Sequence, residues 1–433
     1  MWDFETDAAY QADLDWADRL VREEIEPLPM IIPHIFDLAD PVRNAIVRPL
    51  QRKVKARGLW ATHLGPELGG KGHGQVKLAL LNEVLGRARY APMVFGCAAP
   101  DTGNAEILAH YGTAEHKEKW LQPLLDGEIQ SCFSMTEPQG GSDPKEFTCK
   151  AWREGDDWVI EGEKWFSSNA RYAAFLIAMV VTDPEGPPHA RHTMLIVPAD
   201  APGLEIIRNV GFGGWGEKLD SGAEHAHVRY NRVRVPVANQ LGPRGAAFAV
   251  AQTRLGGGRI HHAMRTVGMA RAALDMMKER LVSRRTQGQQ LARKQMMQEV
   301  IADSWIELEQ FRLLLLQVAW KIDKLNDYNK VRGDIAAVKV AMTGVLKRMA
   351  DRAIQVHGSF GLSDQAPFVH MLLNAYQLGL ADGPTEVHKV ALARELLKDV
   401  APCETVFPSY ARSVREAAAR EKHAEVLKAH GRW

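Results

Sequence analysis

The sequence predicts a mainly α protein with a central β-barrel, the strand-forming stretch lying between two helical ones. Three observations carry this reading. Apolar residues recur at helical spacing from Glu5 to about Gly127. The period shortens to strand-like runs from Ser131 to about Pro243. Helical spacing returns at Gly245 and continues to the end. The expected domains are an N-terminal helical domain over 1–130, a β-barrel over 131–243 and a C-terminal helical bundle over 244–433. A chain of 433 residues exceeds the size at which one core stops growing, so several domains are expected.

In the first segment Trp16, Leu20 and Val21 recur at helical spacing beside acidic and arginine residues. Leu78, Leu80, Leu81, Val84 and Leu85 form a buried stripe between Lys77 and Arg87. The joint from Gly65 to Gly74 carries Pro66, Gly69, Gly70 and Gly72. It lacks the Lys-Ser/Thr ending of a P-loop and reads as a plain loop. In the middle segment Trp158-Val159-Ile160, Phe175 to Val181, Met194 to Val197 and Leu204 to Ile207 are short strand-like runs. His227 to Val235 comes close to polar/apolar alternation. Turn signals separate them at Glu154 to Asp157, Asp183 to Pro188 and Ala201 to Gly203. In the last segment Ile301, Trp305, Leu308, Leu315 and Ala319 share one helical face. Asp334 reads as an N-cap for a helix through Ile335, Val338, Met342, Val345 and Met349 that stops at Gly358. Such stripes mark a bundle core, and on long helices also a subunit interface.

Composition narrows the function classes. Hydrophobic residues make up 46% and charged residues 25%, and 54 Lys+Arg against 53 Asp+Glu give +1. That balance points to neither nucleic acid nor an anionic membrane as partner. Cys97, Cys132, Cys149 and Cys403 have no metal-ligand spacing, so no metal is expected and free thiols are. The start, Met1 to Asp7, is acidic and has neither a basic region before an apolar run nor the arginines of a transit peptide. A cytoplasmic protein is expected. The longest apolar runs, Leu313 to Leu316 and Ala173 to Val181, are far below the roughly 20 residues of a membrane span.

The stretch that carries chemistry runs from Cys132 to Asp143: Cys-Phe-Ser-Met-Thr-Glu-Pro-Gln-Gly-Gly-Ser-Asp. Phe133 and Met135 read as a buried strand edge. Pro138 fixes φ, Gly140 and Gly141 permit close backbone approach, and Thr136 and Ser142 flank the turn as hydroxyls. By itself this is either a seat for a flat polar ligand or an ordinary hairpin loop.

Its context resolves the choice. The stretch resembles the first signature of the acyl-CoA dehydrogenase family. Tyr111 to Glu128 is similar to the segment that precedes that signature, and Gly162-Glu163-Lys164-Trp165-Phe166-Ser167-Ser168-Asn169-Ala170 to its second flavin segment. Ala381-Asp382-Gly383-Pro384-Thr385-Glu386-Val387-His388 stands where the family keeps its catalytic carboxylate. The resemblance covers nearly the whole chain. It implies an N-terminal helical domain, a central β-barrel and a C-terminal four-helix bundle, with FAD bound between barrel and bundle.

The resemblance also implies roles. Phe133, Met135 and Thr136 match the strand beside the isoalloxazine, and Ser142 matches a hydroxyl shared by the flavin phosphates and the CoA. Phe166 and Ser168 stand where relatives usually carry Trp and Thr. Arg284 matches an arginine that reaches the FAD of a neighbouring subunit, although Gln287 replaces the usual aromatic three residues on. Gln355, Gly358 and Ser359 match a Gln-x-x-Gly-Gly turn with the same task, Ser359 replacing the second glycine. Pro384 and Glu386 complete the cofactor-binding set. Arg259 and Gly383, with Ser142, form the substrate-binding set. A homodimer or homotetramer follows, with acyl-CoA as substrate and an electron-transfer flavoprotein as electron acceptor.

An acyl thioester α-proton needs a positioned carboxylate base and donors for the developing enolate. The family usually supplies Glu; the aligned residue here is Asp382, one methylene shorter. The Asp-Gly pair read alone is also a turn. The run Asp382 to His388, together with Arg259-Ile260-His261-His262 at a helix start, is similar to one branch of the family. Animal members of that branch fuse a phosphotransferase-like kinase domain to the dehydrogenase, and this chain matches the dehydrogenase part. That branch implies unusual acyl chains, including 4-hydroxyacyl-CoA handled through a 4-phospho derivative. Two alternatives stand beside the dehydrogenase: an Asp-dependent oxidase of the same fold, like the nitroalkane oxidases, and a non-catalytic flavoprotein scaffold.

Overall fold

The computed structural model describes residues 6–66, 70–211, 225–328 and 330–433. The order is helical, β, helical, as expected from the sequence. Two compact units are present, 1–389 and 390–433.

In the first unit the N-terminal helices include α1 (Ala8–Leu20), α2 (Pro41–Arg57), α3 (Gly74–Leu85) and α4 (Asp101–Tyr111). Their ends follow capping chemistry. Asp7 accepts from the Tyr10 amide at 2.9 Å, Asp40 accepts from Val42 at 2.8 Å, and Gly58 closes α2 at φ 80°. The amides of Gln75 and Val76, at the start of α3, donate to the Asp323 carboxylate at 2.5 and 2.9 Å. That carboxylate belongs to the C-terminal bundle, so an N-terminal helix is capped across the domain boundary. Leu81 and Leu85 are buried in the N-terminal core, with Leu80 and Val84 packed against it, while Leu78 is buried in the core of the C-terminal bundle.

The β region comprises β1 (Ser131–Ser134), β2 (Lys150–Glu154), β3 (Asp157–Ser168), β4 (Phe175–Val181), β5 (His192–Pro198), β6 (Leu204–Val210), β7 (His225–Pro236) and β8 (Gln240–Leu241). The sheet order is β6-β7-β3-β1-β4-β5-β8. β2 pairs with both β3 and β4, which closes β3, β1, β4 and β2 into a ring. The short β1 lies parallel to β4 and meets β3 through Phe133 opposite Ser168.

The bundle is built from α5 (Ala247–Ser283), α6 (Gln295–Leu325), α7 (Arg332–His357) and α8 (Phe368–Leu380), with α9 (Thr385–Leu397) after them. A two-stranded hairpin, β9 (Arg285–Thr286) and β10 (Gln289–Gln290), joins α5 to α6. α5 is the central post, and its buried residues from Ile260 to Leu281 share one core with α6, α7 and α8. A Cβ at Gly268 would stand 2.0 Å from the Glu83 carbonyl, and one at Gly86 2.0 Å from that of Arg265. Glycines therefore set how closely α3 crosses α5.

Three expectations are corrected. Trp305 lies outside the buried face and is 53% exposed, because the buried set on α6 runs through Ser304, Leu308, Phe311, Leu315, Val318 and Ala319. Asp334 lies inside the first turn of α7, which begins at Arg332, and its carboxylate is held by Lys321 Nζ at 2.8 Å. His261 and His262 lie well inside α5. The stop at Gly358 matches the structure.

The second unit contains the last turns of α9, α10 (Arg412–Lys422) and a short helix at Ala424–Ala429. No helix among the described residues is long and apolar enough to cross a membrane. All four cysteines are free thiols; Cys97, Cys132 and Cys149 are buried and Cys403 is exposed.

Candidate active site

The signature loop hangs on a buried carboxylate. Glu137 and Gly140 bond reciprocally through their backbones at 2.9 and 3.1 Å, forming the turn around Pro138. The Glu137 side chain is fully buried. It accepts from Lys164 Nζ at 2.8 Å, from the amides of Thr148 and Cys149 at 2.6 and 3.0 Å, and from Gln139 Nε2 at 2.6 Å. Burial opposes its ionisation, but the Lys164 charge and these bonds prevail and hold the carboxyl below its ordinary value. Lys164 also donates to the Met135 carbonyl at 2.8 Å, and the Trp165 amide donates to the Thr136 carbonyl at 2.7 Å. Phe133, Met135 and Thr136 are thus fixed against the Gly-Glu-Lys-Trp segment. A Cβ at Gly141 would stand 3.1 Å from Thr136 Cγ2, so the glycine lets the loop close over that threonine. Ser142 is exposed.

Phe166 and Ser168 share the end of β3. Phe166 adopts φ 52° and is 39% exposed. Its ring lies 5.0 Å from that of His225, inclined by 32°. Ser168 Oγ stands 2.8 Å from His225 Nδ1, and Gln377 Nε2, on α8, stands 3.2 Å from His225 Nε2. This chain joins barrel to bundle five residues before Asp382. Burial pushes the His225 imidazole down to about 4, so it is neutral.

Asp382 is held by its backbone. It adopts φ 56°, in the left-handed region that Asp tolerates better than most residues. Its carbonyl accepts from Arg259 Nε at 2.9 Å and from His388 Nε2 at 3.1 Å. Gly383 follows at φ 96°, where a Cβ would also meet His388 Nε2 at 3.0 Å. The carboxylate, 16% exposed, has His262 Nε2 3.6 Å from Oδ2. A Cβ at Gly258 would stand 3.3 Å from that oxygen, so glycine leaves the space the carboxylate uses. Cations surround it. Arg254, Arg259 and Lys339 are each destabilised by burial and each favoured by the Asp382 charge. Burial brings Lys339 down to about 8, and its ammonium donates to the Leu378 carbonyl. Burial also keeps His262 and His388 neutral.

Arg254 connects the two halves. Its Cζ lies 3.9 Å from the centre of the Phe133 ring and its Nε donates to Asn104 Oδ1 at 3.0 Å. The structure therefore gathers Phe133, Met135, Thr136, Phe166, Ser168, Arg259, Asp382 and Gly383 around one barrel–bundle junction. Pro384 is half-buried beside them and Glu386 is exposed at the start of α9. Arg254, Lys339, His225 and Gln377 were absent from the sequence reading. Isolated residues on long helices or strands carry no local motif.

A second group lies elsewhere. Arg284 follows the end of α5, while Gln355, Gly358 and Ser359 end α7; all four are exposed. From Gly258 to Arg284 the rise of α5 amounts to about 39 Å. This group therefore lies at the far end of the bundle from Asp382. Among the described residues no cluster of His, Cys, Asp and Glu could hold a metal ion.

Three family models match in succession: the N-terminal domain of acyl-CoA dehydrogenase over residues 11–128, its middle domain over 132–219 and its C-terminal domain over 245–397. Acyl-CoA dehydrogenase family member 11 of Rattus norvegicus is 42% identical over 360 residues. That match covers 82% of this chain and 45% of the relative, so the chain spans about half the length of that protein. Probable acyl-CoA dehydrogenase FadE2 of Mycobacterium tuberculosis is 39% identical, with 90% and 92% of the two chains covered. A protein of Mycobacterium abscessus solved as a candidate acyl-CoA dehydrogenase superposes with a TM-score of 0.85 at 36% identity, covering 92% of this chain and 100% of its own. PigA, solved as an FAD complex, shares the fold at 21% identity with a TM-score of 0.77, covering 91% and 99%.

Proposed function

The chain belongs to the acyl-CoA dehydrogenase family, and on that premise we propose that it catalyses the FAD-dependent α,β-dehydrogenation of an acyl-CoA thioester to a trans-2-enoyl-CoA. The observation that carries the reading is Asp382: a carboxylate at φ 56°, its carbonyl clamped by Arg259 and His388, beside a glycine that leaves it room.

The residues fit a flavin. Phe166 is partly exposed, Ser168 at the same end of β3 pairs with Phe133, and Gly141 lets the loop approach Thr136 closely. Bound FAD would supply the hydride acceptor, its N5. Phe133, Met135, Thr136, Phe166 and Ser168 would hold its ring, with Ser142, Pro384 and Glu386 near its remaining groups. Asp382 would take the pro-R α-proton from the face of the Cα–Cβ bond opposite the flavin. Arg259 and Gly383 fix where that carboxylate stands, and Ser142 would meet the CoA moiety. Arg254, Arg259 and Lys339 place positive charge around the site, which favours the enolate-like transition state.

The far group of Arg284, Gln355, Gly358 and Ser359 would serve the flavin of a second subunit, making a homodimer or a pair of dimers. Ile306, Leu313 and Trp320, spaced by seven on α6 and each more than 40% exposed, support a covered bundle face. An electron-transfer flavoprotein would reoxidise the flavin.

A second reading, an acyl chain bearing a hydroxyl or phosphate, rests on one observation: both ring nitrogens of His63 and Nε2 of His261 are buried with no hydrogen-bond partner. The experiment is anaerobic flavin bleaching by a panel of plain and 4-hydroxylated acyl-CoAs and nitroalkanes, then oxygen uptake. Bleaching by acyl-CoA without rapid oxygen uptake supports a dehydrogenase; bleaching by nitroalkanes alone with oxygen uptake moves the reading to an oxidase.

A further inference from the structure

The last turn of α8 leads into Asp382, and its carbonyls are taken by three different donors. The Ala381 amide donates to Gln377 at 2.8 Å, Lys339 Nζ donates to Leu378, and the Thr385 hydroxyl donates to Gly379 at 3.2 Å. A helix end leaves such carbonyls without partners inside the helix itself. We propose that Lys339 is a positioning residue for the base: its ammonium, bound to the Leu378 carbonyl, fixes the end of α8 and with it the turn from which Asp382 reaches the substrate. The proposal rests on the Asp382 reading above.

The geometry puts a buried cation under that turn. Lys339 is 1% exposed, and a lysine is rarely so deep unless paired. α7 comes close to α8 at this level. A Cβ at Gly379 would stand 3.0 Å from Thr343 Cγ2, and Thr343 lies one turn along α7 from Lys339. Asp382 follows Leu378 by four residues. Its own carbonyl is clamped by Arg259 and His388. Lys339 therefore holds the near side of the turn and those two hold the far side. An ammonium also suits the negative end of a helix. The Asp382 charge favours the Lys339 ammonium against burial; that attraction is mutual, so the ammonium favours the ionised carboxylate. The other charged and titratable groups facing the pair are Arg254, Arg259 and His262 from α5 and His388 from α9. Burial keeps both histidines neutral near neutral pH, so the arginines are the remaining cations.

The test uses the full chain loaded with FAD and an acyl-CoA that bleaches the wild type. Lys339→Met keeps the length of the side chain but loses its charge and its donor. Bleaching at saturating thioester should slow about 10- to 100-fold, the cost of a base about 1 Å out of place. FAD and thioester affinities should stay within about three-fold of wild type. Asp382 must be ionised to take a proton, so the rate falls in acid. With the ammonium gone that acid limb should move to higher pH, whereas Lys339→Arg, which keeps the charge, should leave it in place. A residue that only fills space would not move the limb. A second pair of variants tests the geometry without touching the lysine. Gly379→Ala presses on the Thr343 methyl and should slow bleaching about three- to ten-fold, and Thr343→Ser in the same chain removes that methyl and should restore most of the rate. If Lys339→Met melts early, this pair decides the matter. Lys339→Met bleaching within about two-fold of wild type with its acid limb unmoved, or Gly379→Ala bleaching at the wild-type rate, overturns the proposal. A wild-type protein that no acyl-CoA bleaches overturns the dehydrogenase reading itself, and that failure is recognisable before any variant is made.

Discussion

Lys164→Met is the sharpest probe of what holds the signature loop. The lysine and its partner Glu137 are both fully buried, 2.8 Å apart. Removing the lysine strands a carboxylate whose other partners are two backbone amides, the Thr148 hydroxyl and one side-chain amide. Breaking a buried pair by losing one member costs about 3–5 kcal/mol. For a domain of 150–250 residues that is about 6–20 °C in Tm. Lys164→Met/Glu137→Gln, which removes both charges, should recover a large part of the loss. Acidity gives a second signature. In the wild type the Glu137 carboxyl is held below its ordinary 4.5, so its contribution is complete above that pH and is lost as pH falls through the lower folded value. In Lys164→Met burial dominates and raises the carboxyl, so the deficit should be greatest near neutrality and shrink as acid protonates Glu137. The assay is thermal melting of wild type, both single variants and the double variant from pH 5 to 8, with FAD affinity alongside because Lys164 also holds the Met135 carbonyl. A Lys164→Met protein melting within about 2 °C of wild type, with a deficit flat in pH, would refute the reasoning.

Gly258→Ala puts a methyl 3.3 Å from Asp382 Oδ2; flavin reduction by substrate should slow about ten-fold while FAD affinity is unchanged, since a 1 Å misplacement costs about a hundred-fold. Arg284→Ala removes an exposed cation at the far end of the bundle. FAD should bind about 10- to 100-fold more weakly while the apoprotein melts at the wild-type temperature, as titration and melting curves would read. Asp382→Glu restores the residue usual in the family but adds a methylene where Gly258 and His262 already confine the carboxylate. Stopped-flow reduction should be slower than wild type.

The helical–β–helical order was legible because periods of 3.6 and 2 are written into residues such as Leu78 to Leu85 and Phe175 to Val181. The stop at Gly358 was legible for the same local reason. Trp305 misled because a large apolar residue one position from the true stripe looks like part of it. At the site, Thr136, Phe166 and Asp382 announced themselves in runs of consecutive residues. Lys339 and Arg254 did not, because each meets Asp382 only through the crossing of α7 and α5 with the turn after α8. His225 and Gln377, 152 positions apart, are joined by a tertiary contact that no spacing rule encodes.

The central claim is that Asp382 is the base. Asp382→Asn keeps the side chain's size and the backbone clamp by Arg259 and His388 but removes the proton acceptor. The measurement is the anaerobic rate of flavin bleaching at saturating acyl-CoA, wild type against variant, with FAD content and thioester affinity measured on the same samples. The account predicts a fall of about a hundred- to ten-thousand-fold with both bindings retained; an Asp382→Asn enzyme that bleaches at the wild-type rate would contradict it and shift attention to Glu386.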